Sequence, residues 1–593
     1  MGTFKYDTGN MTQLLYTTLH GSLLQFTDYN GVNVFRFSEH IDPTILLALP
    51  FYVLVKSPKT LMFVQSLFII LATIPLFKIS QIKLKNKWIS TLIVLIFLLS
   101  PVVGNLLVSD FHAVSFCILF VFLAYLYLLQ KKTVFYFIFF ILAILSKENV
   151  AISFIPFSFI IYFVYKQKKT AIATFVISLL YAYLALIVLI PFFRGQGESV
   201  HASFDLAYSY LGKSYGDIIK NLVLNPVNTF HILTEPFRLK YFIDTFSLYG
   251  FLPIFAFPYN LVLLPELLLK GLSNIYAMRT FNYQYTSIIT PFLYIATINF
   301  IKKFSRFYKF QLFILVFIAL FNLNYSLNLN NITIKFIKNT FIKKQKVSSK
   351  SDLEIVGLVS PRFTKTPYVI VSLIPKLESV SAPNFMGAHL SEREHIAMYP
   401  AKYNEFQNVV VEYYDSSLPA IVFSLYKTNI FQENRKYVAF LLTNKKYRLV
   451  MAENGLAYFK KTNLQEKKQI LQVNLSKTET VSLSNNCQVT EPFIQISNGQ
   501  PYLVTGIRYV KNSDKPIIYT IKTVSRQFQV IDLYQYAKLY TKLEYASTIP
   551  ILLTEKELQG NIDVIVSEHN IDTGLKIKPS KSFVLFKNIK VKQ

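Results

Sequence analysis

The sequence is poor in cysteine and in acidic residues, and both shortages narrow what the chain can be. Its two cysteines, Cys117 in an apolar run and Cys487 in the polar C-terminal part, are expected in different layers, so no disulfide framework is predicted. There is no GxxxxGK[ST] loop, no HExxH and no paired CxxC, which argues against an NTP-driven pump acting alone and against a zinc protease. The first 30 residues hold no apolar run long enough for a signal peptide.

The shortage of acidic residues leaves a formal net charge of +28, from 61 lysines and arginines against 33 aspartates and glutamates. A basic balance can indicate nucleic-acid binding. Here, however, the lysines lie in short loops between apolar runs, where the cytoplasmic loops of membrane proteins collect positive charge. Hydrophobic residues make up 52% of the chain and charged residues 16%, against about a quarter charged in soluble domains. We therefore predict a membrane protein with no nucleic-acid partner.

Apolar runs near the length that crosses a hydrocarbon core, about 20 residues, recur as far as residue 325. When the crossings are counted, the lysine-rich loops between them fall on one face, which should be the cytoplasm. A short run at 41–55 holds Pro43 and Pro50 and is predicted to lie at the interface, and a proline-broken pair occupies 242–270. The runs are 58–79, 88–108, 112–130, 133–146, 150–165, 170–193, 286–301 and 308–325.

The chain after residue 325 has the composition of soluble protein. Lysines interleaved with isoleucine and phenylalanine first suggest a basic interfacial helix, and short alternating strands after about residue 461 indicate a β-rich end. The predicted fold class is a polytopic α-helical membrane bundle with a C-terminal extracytoplasmic α/β region and a terminal β-sandwich-like domain, in the cell membrane. The predicted domains are 1–57 (outer loop with interfacial helices), 58–325 (membrane bundle), 326–351 (basic linker), 352–461 (α/β) and 462–593 (β-rich).

Ionisable residues next to the membrane collect on the predicted outer face. Such groups are costly at membrane depth and are usually paired or functional. Each one alone has an ordinary structural explanation, such as capping a helix or neutralising a neighbour, and their shared location is the stronger signal. They are Asp7, His40, Ser109-Asp110-Phe111-His112, Lys147-Glu148-Asn149 and Glu266.

At these residues the sequence resembles the multipass membrane proteins catalogued as domain of unknown function 2079. The likeness covers roughly residues 1–460. Taken together the shared motifs are specific, although each is weak by itself. They are Tyr6-Asp7-Thr8-Gly9 with Gln13 and His20-Gly21; Glu39-His40 with Pro43, Leu49-Pro50 and Gln65; Asp110-Phe111-His112; Lys147-Glu148; Pro265-Glu266; and Ser372-Leu373-Ile374-Pro375 with His389-Leu390-Ser391.

That family is similar to the GT-C type glycosyltransferases, membrane enzymes that move a sugar from a polyprenyl-phosphate carrier to an acceptor on the outer face. The resemblance implies a GT-C-like bundle, with Asp7 as base or metal ligand and Lys147 on the lipid phosphate. Asp110 and Glu148 complete the catalytic candidates, and these side chains are expected to meet in one pocket. The substrate-binding candidates are His40, His112, Arg194, Arg238, Glu266 and Arg279.

A divalent cation, magnesium or manganese, is the candidate cofactor, because hard oxygen ligands suit such ions. Its candidate ligands are Asp7, Asp110 and His112, and Glu148 is a further residue that could share it. The expected partners are the lipid bilayer, a polyprenyl-phosphate-linked sugar, and a glycan, lipid or protein acceptor.

The sequence departs from the family in three places. The family has a membrane helix before the opening loop, whereas this sequence begins almost at Asp7, as an internal start or a truncated gene model would. Asn149 stands where an acidic residue is expected, and Gln284 stands before Tyr285 where histidine is expected.

Two other classes of function stay open beside the enzyme. A transporter or lipid flippase also has broken helices and buried charges, and a non-catalytic envelope scaffold would use its soluble part to bind glycan or protein. The chain shows no clear internal repeat and its ionisable residues lie at helix ends, which favours the enzyme over the transporter.

Overall fold

The structure is a computed structural model in which the chain forms two compact units. The first, here called the polar unit, consists of Met1–Thr17, Thr27–Asn33 and Val347–Gln593. The second, here called the membrane unit, consists of Thr18–Phe26 and Val34–Lys346. The structure describes residues 5–28, 30–194, 207–212, 215–281, 283–328, 354–355, 365–412, 440–441, 444, 446–453, 456–462, 469–471, 473–474, 487–497, 500–509, 517–524, 527–532, 545–553, 555–571 and 577–591.

Within the described residues, three helices of the membrane unit are long and apolar enough to cross a bilayer. A fourth crossing results if two helices bent by 51° are taken as one span. The bend follows from Pro101, which has no backbone N–H to donate to the preceding turn. The three spans are Pro58–Leu84, Lys168–Arg194 and Tyr308–Ser326, and the bent pair is Lys87–Leu99 with Pro101–Val108.

The other runs predicted as crossings form shorter apolar helices of 10–17 residues. At about 1.5 Å per residue, a 12-residue helix is about 18 Å long, well short of a core about 30 Å thick. The predicted runs included apolar residues of the flanking links, so the lengths of these helices do not confirm the predicted crossings. The short helices are Ala113–Leu129, Thr133–Ile144, Val150–Phe163 and Ile289–Lys302, with Pro43–Leu54 at the predicted interfacial run.

The outer helices present continuous apolar faces. In Lys168–Arg194 only 22% of the most apolar window is buried, and Ile172, Val176, Leu180 and Phe192 are among its exposed side chains. An apolar patch of this extent is typical of a surface that contacts lipid. The described part of the membrane unit therefore has the exterior of a membrane protein.

Lysines in the left-handed backbone conformation follow three of these helices. Lys85, Lys131 and Lys166 have φ values of 53°, 58° and 57°, the conformation that commonly ends a helix. A cation at this position also lies near the negative end of the helix dipole. The C-terminal ends of the three helices meet, since Lys83 contacts Tyr125 and Tyr165, so these lysines mark one end, here called the lysine-rich end.

The proline-broken pair predicted at 242–270 consists of short pieces. The helix Pro236–Ser247 leads into 3-10 turns at Leu252–Phe255 and Tyr259–Leu263, and the helix Leu264–Gly271 follows. Prolines inside this stretch cannot donate a backbone hydrogen bond, which keeps the helices short. Before it lie the helices Tyr215–Leu224 and Pro226–Leu233.

The polar unit contains a five-stranded mixed sheet. Its strands lie side by side in the order Ile396–Met398, Val380–Ala382, Asn408–Glu412, Leu456–Lys461 and Tyr447–Glu453. The helix Thr366–Leu373 packs on one face, where Ile370 and Ile374 contact Phe385 and Val410. The N-terminal segment belongs to this unit, because the Gln13 side chain donates to the carbonyls of Arg393 and Glu394 at 3.2 and 2.9 Å.

Two further sheets form the C-terminal part, one of six strands and one of four. The six-stranded sheet includes the upstream pair Glu354–Ile355, which runs parallel to Gln527–Asp532, so it recruits residues from the predicted α/β domain. The longest strands are Cys487–Ser497, Gln500–Tyr509, Ile562–Ile571 and Ile577–Val591. The predicted basic helix after residue 328 lies outside the described residues.

Candidate functional site

The segment that precedes the first span is fixed by a buried arginine. Arg36 donates from Nε and Nη2 to the two carboxylate oxygens of Asp42, at 2.9 and 2.7 Å, and from Nη1 to Glu39 at 2.9 Å. Arg36 and Asp42 are each 5% exposed. Burial lowers the pKa of Arg36, but the charges of Asp42 and Glu39 outweigh it and raise the pKa overall. This fork-shaped pair holds the backbone of residues 36–42 in one conformation.

Glu148 joins this segment to the link between two short helices. Its carboxylate lies 3.0 Å from His40 Nδ1 and accepts the backbone N–H of Ile41 at 3.1 Å. Burial would raise the pKa of Glu148, but the charge and hydrogen bond of His40 and the charge of Lys147 outweigh it and lower the pKa to about 2. Glu148 is thus ionised and positions the histidine, whose side chain stays 39% exposed.

Lys147 precedes this carboxylate and is half-buried. The structure shows no hydrogen bond or ion pair from its ammonium group to any described residue. Its negative neighbour Glu148 is already engaged with His40 and Ile41. The ammonium group of Lys147 therefore has donors that an external anion could accept.

A buried glutamine organises the other outer link. Gln65 is 1% exposed; its Nε2 donates to the Leu106 carbonyl at 2.8 Å, and its Oε1 accepts from the His112 backbone at 2.8 Å and the Ser115 hydroxyl at 3.2 Å. Asp110 and His112 remain partly exposed beside it. Sequence reasoning included Gln65 only as a motif residue, although an amide inside an apolar helix is itself a signal.

The two links and the interfacial segment meet at one end of the membrane unit. The turn Pro43–Ala48 packs against Ala113–Phe116, and the Thr44 hydroxyl donates to the Leu145 carbonyl at 3.4 Å. This end, here called the link end, is opposite the lysine-rich end. It brings together the predicted site residues His40, Asp110, His112, Lys147 and Glu148.

Glu266 lies in a buried pair beside the second link. Lys270 lies 2.5 Å from one carboxylate oxygen and also donates to the Tyr285 carbonyl, and Asn149 Nδ2 donates to the other oxygen at 3.1 Å. Glu266 and Lys270 are each 1% exposed, which makes Glu266 a structural partner. The arrangement also explains Asn149, because a carboxylate at that position would face Glu266.

The three candidate arginines differ in how many of their donors are used. Arg238 donates to Glu235 at 2.7 Å, to the Gly271 carbonyl at 2.7 Å and to Asn274 at 2.6 Å, which argues against a role on a substrate phosphate. Arg279 stacks 4.3 Å from the Phe237 ring centre, and its buried Nε and Nη1 have no partner among the described residues. Burial and the charge of Arg238 lower the pKa of Arg279. Arg194 ends the span Lys168–Arg194.

Asp7 lies in the polar unit, in the π-helical turn Lys5–Gly9, and is partly exposed. The turn packs closely against Ala388 and Ser391, since a Cβ at Gly9 would meet the Ser391 hydroxyl at 2.9 Å and the Ala388 Cα at 3.2 Å. Two of the motifs that carry the resemblance, Asp7-Thr8-Gly9 and His389-Leu390-Ser391, are therefore neighbours. The requirement for close approach accounts for glycine at position 9.

A metal site is not assembled in the part of the chain that the structure describes. No three histidine, cysteine, aspartate or glutamate side chains are grouped there so as to hold an ion. The Glu148 oxygens, considered as ligands from the sequence, bind His40 and the Ile41 backbone instead. The divalent cation stays a prediction, and no chemical step below depends on it.

The fold and this site define a helical membrane protein with an appended α/β region and a cluster of ionisable groups at one end of the bundle. The chain belongs to the family described as "Predicted membrane protein (DUF2079)", whose model matches residues 1–458. This finding confirms the family resemblance over almost the expected residues. A comparison with curated proteins finds no match.

Among solved structures, the chain is similar to two crystal structures of ArnT from Cupriavidus metallidurans. The one bound to undecaprenyl phosphate has 8% identity and a TM-score of 0.46, and the alignment covers 79% of this chain and 96% of that one. The apo structure has 9% identity and a TM-score of 0.42, with 77% and 94% covered. Because both TM-scores lie under 0.5, this similarity supports no statement about function.

Proposed function

We propose that this protein is a glycosyltransferase of GT-C type that moves a sugar from a polyprenyl-phosphate donor to an acceptor on the extracytoplasmic face. The observation that carries the proposal is Lys147, a cation with open donors next to a carboxylate that is engaged elsewhere. The residues around it match the motifs of the resemblance, and the outer helices present apolar faces to lipid. A lipid phosphate is the anion that a lysine in this setting would meet.

Sugar transfer from such a donor needs positive charge where the phosphate leaves. A preorganised cation stabilises that developing charge more in a site with little water than it would in solution. Lys147 supplies the charge, and no hydrogen bond joins it to Glu148, whose oxygens contact His40 and the Ile41 backbone. No nucleotide is required, since the energy of transfer is in the donor bond.

His40 is the second residue to which the proposal assigns a role. Its Nδ1 faces Glu148, so the other ring nitrogen is the one available to a substrate, and a carboxylate partner of this kind fixes the ring orientation. Asp110 and His112, held by Gln65, are the further polar groups that a sugar would meet at this end. Asp7 stays our candidate for activating the acceptor hydroxyl, on the resemblance alone.

Binding of a polyprenyl phosphate to the purified full chain tests the role of Lys147. We expect Lys147→Gln to weaken binding by at least about tenfold, because a charge-assisted hydrogen bond is lost. Lys132→Gln is the matched control, since Lys132 is an exposed lysine at the opposite end of the helix Thr133–Ile144. Equal binding by wild type and Lys147→Gln would remove the observation on which the proposal rests.

Transfer itself is measured with a panel of polyprenyl-phosphate sugars and the protein in lipid nanodiscs. Loss of transfer in Lys147→Gln and in Asp7→Asn, with normal expression of both, would support the enzyme. Lipid movement between leaflets without any transfer would favour the transporter instead.

A further inference from the structure

One lysine, three tyrosines and an asparagine form a hydrogen-bonded group at the lysine-rich end. The Lys83 ammonium donates to the Tyr165 hydroxyl at 2.9 Å. That hydroxyl lies 2.7 Å from Tyr125 Oη and 2.8 Å from Tyr259 Oη, and Asn299 Nδ2 donates to Tyr125 Oη at 2.8 Å. We call these five residues the lysine–tyrosine cluster.

The cluster is separate from the candidate functional site. The helix Val150–Phe163 begins next to Glu148 and ends just before Tyr165. Its 14 residues span about 20 Å at about 1.5 Å per residue. A ligand held at Lys147 does not reach the cluster, which needs an explanation of its own.

Lys83 is a cation that the protein orients without neutralising. One of its three N–H donors is used on Tyr165, and its other close contacts are the ring faces of Tyr165 and Tyr125, at 4.8 and 5.7 Å. No described carboxylate pairs with it, and Lys302 acts on it as a like charge. The sequence segments that meet here contain no aspartate or glutamate: 73–90, 117–136, 160–172, 254–263 and 295–312.

The position of the cluster along the span places it at the level of lipid headgroups. Lys83 immediately precedes Leu84, the last residue of the span Pro58–Leu84, and Trp88, just beyond, is 75% exposed. Tryptophan and tyrosine gather at the membrane–water interface. Phosphate groups of the lipids occupy this same layer, and basic pockets between helices bind anionic headgroups.

We propose that the lysine–tyrosine cluster is a binding site for a phosphate group, separate from the site of sugar transfer. The two remaining N–H donors of Lys83 bind the phosphate oxygens, and the Tyr165 hydroxyl, which Tyr125 and Tyr259 fix, holds the ammonium in place for them. The phosphate comes from the headgroup of an anionic phospholipid or from a soluble phosphate compound. Both sources share the chemistry that the site recognises.

The test uses the full chain in nanodiscs and in detergent. Native mass spectrometry counts retained phosphatidylglycerol against phosphatidylcholine, and thermal unfolding in detergent follows a titration with inorganic phosphate. We expect Lys83→Gln to weaken the phosphate-dependent signal by about tenfold, because a charged donor pair is lost. Lys78→Gln, an exposed lysine on the same span, should leave it unchanged.

Tyr259→Phe covers the case in which Lys83→Gln does not fold. It keeps the charge and removes one supporting hydroxyl, so we expect a weaker effect, about threefold. Selective retention of phosphatidylglycerol assigns the site to a lipid headgroup, and stabilisation by inorganic phosphate alone assigns it to a soluble compound. Equal losses in the Lys83 and Lys78 variants, or no signal from either source in the wild type, would overturn the proposal.

Discussion

The charged side chains at the two ends of the membrane unit have different kinds of partner. At the link end the described structure pairs buried cations with carboxylates: Arg36 pairs with Asp42, and Lys270 pairs with Glu266. At the lysine-rich end Lys83 is held by the Tyr165 hydroxyl and by the ring faces of Tyr165 and Tyr125. Carboxylate partners neutralise a cation and fix a loop, whereas phenols orient a cation and leave its charge available.

This difference in partners distinguishes one lysine at each end of the membrane unit. At the link end Lys147 keeps open donors beside the ion pairs, and at the other end Lys83 uses one of its three N–H donors, on Tyr165. Both are therefore available to anions from outside the protein. The proposed sugar-transfer site and the proposed phosphate site follow from this one contrast.

The largest effect is expected from breaking the pair that fixes the interfacial segment. Asp42→Ala leaves the Arg36 guanidinium buried with half of its partners removed, which should lower the free energy of unfolding by about 3–5 kcal/mol. The measurement is denaturant unfolding in detergent. Asp244→Ala is the control, because its partner Lys240 is 68% exposed and such pairs contribute under about 1 kcal/mol. Equal effects of the two changes would show that the link end is not held by buried charge.

The second largest effect is expected from lowering the pH. Acid protonates carboxylates, so it tests the difference between the two ends. The pKa of Glu148 is about 2 in the folded chain, below its ordinary value of 4.5, so its stabilisation is present above pH 4.5 and is lost as the pH falls toward 2. Over that window the loss should be roughly 3 kcal/mol, at about 1.4 kcal/mol per pKa unit.

Thermal unfolding in nanodiscs between pH 6 and pH 2 measures this loss. Glu148→Gln should unfold with a smaller dependence on pH across the window, whereas Lys83→Gln should keep the wild-type dependence because no carboxylate of the described residues pairs with Lys83. An unchanged slope in Glu148→Gln would contradict the assigned role of the carboxylate.

A smaller effect tests why Asn149 stands at the link end. Asn149→Asp should destabilise the protein by about 2 kcal/mol, because the amide donor to Glu266 is lost and a like charge takes its place. Glu266→Gln provides the matched background for this contact, because it leaves an amide to face the new carboxylate; since it also removes the partner of Lys270, the effect of Asn149→Asp is measured within each background. Denaturant unfolding should show a smaller loss from Asn149→Asp in the Glu266→Gln background than in the wild type, and equal losses would place the cause outside the Asn149–Glu266 contact.

Much of the helical architecture could be predicted from hydropathy. The span Pro58–Leu84 and the final span Tyr308–Ser326 lie where apolar runs were expected, because the hydrophobic effect acts on local stretches of sequence. The ends of the shorter helices could not be predicted. Apolar residues continue into the links, and hydropathy does not show where the backbone hydrogen bonds of a helix stop.

The partners of the polar side chains were much harder to predict. His40 and Glu148 were each chosen as candidates, but nothing in the sequence shows that they contact each other across 108 positions. The predicted site residues did not include Arg36, Asp42 or Lys270. Arg36 and Asp42 form one buried ion pair of the link end, and Lys270 forms another with Glu266.

By itself, the sequence determined that this chain is a membrane protein, which family it resembles and which ionisable residues lie at helix ends. These properties depend on composition, run length and short motifs, all of which are local. Tertiary structure alone decided which charges are neutralised inside the protein, because electrostatic energy depends on distances between residues far apart in the chain. Within the described residues, that selection leaves Lys147 and Lys83, like Arg279, with N–H donors that a ligand could accept.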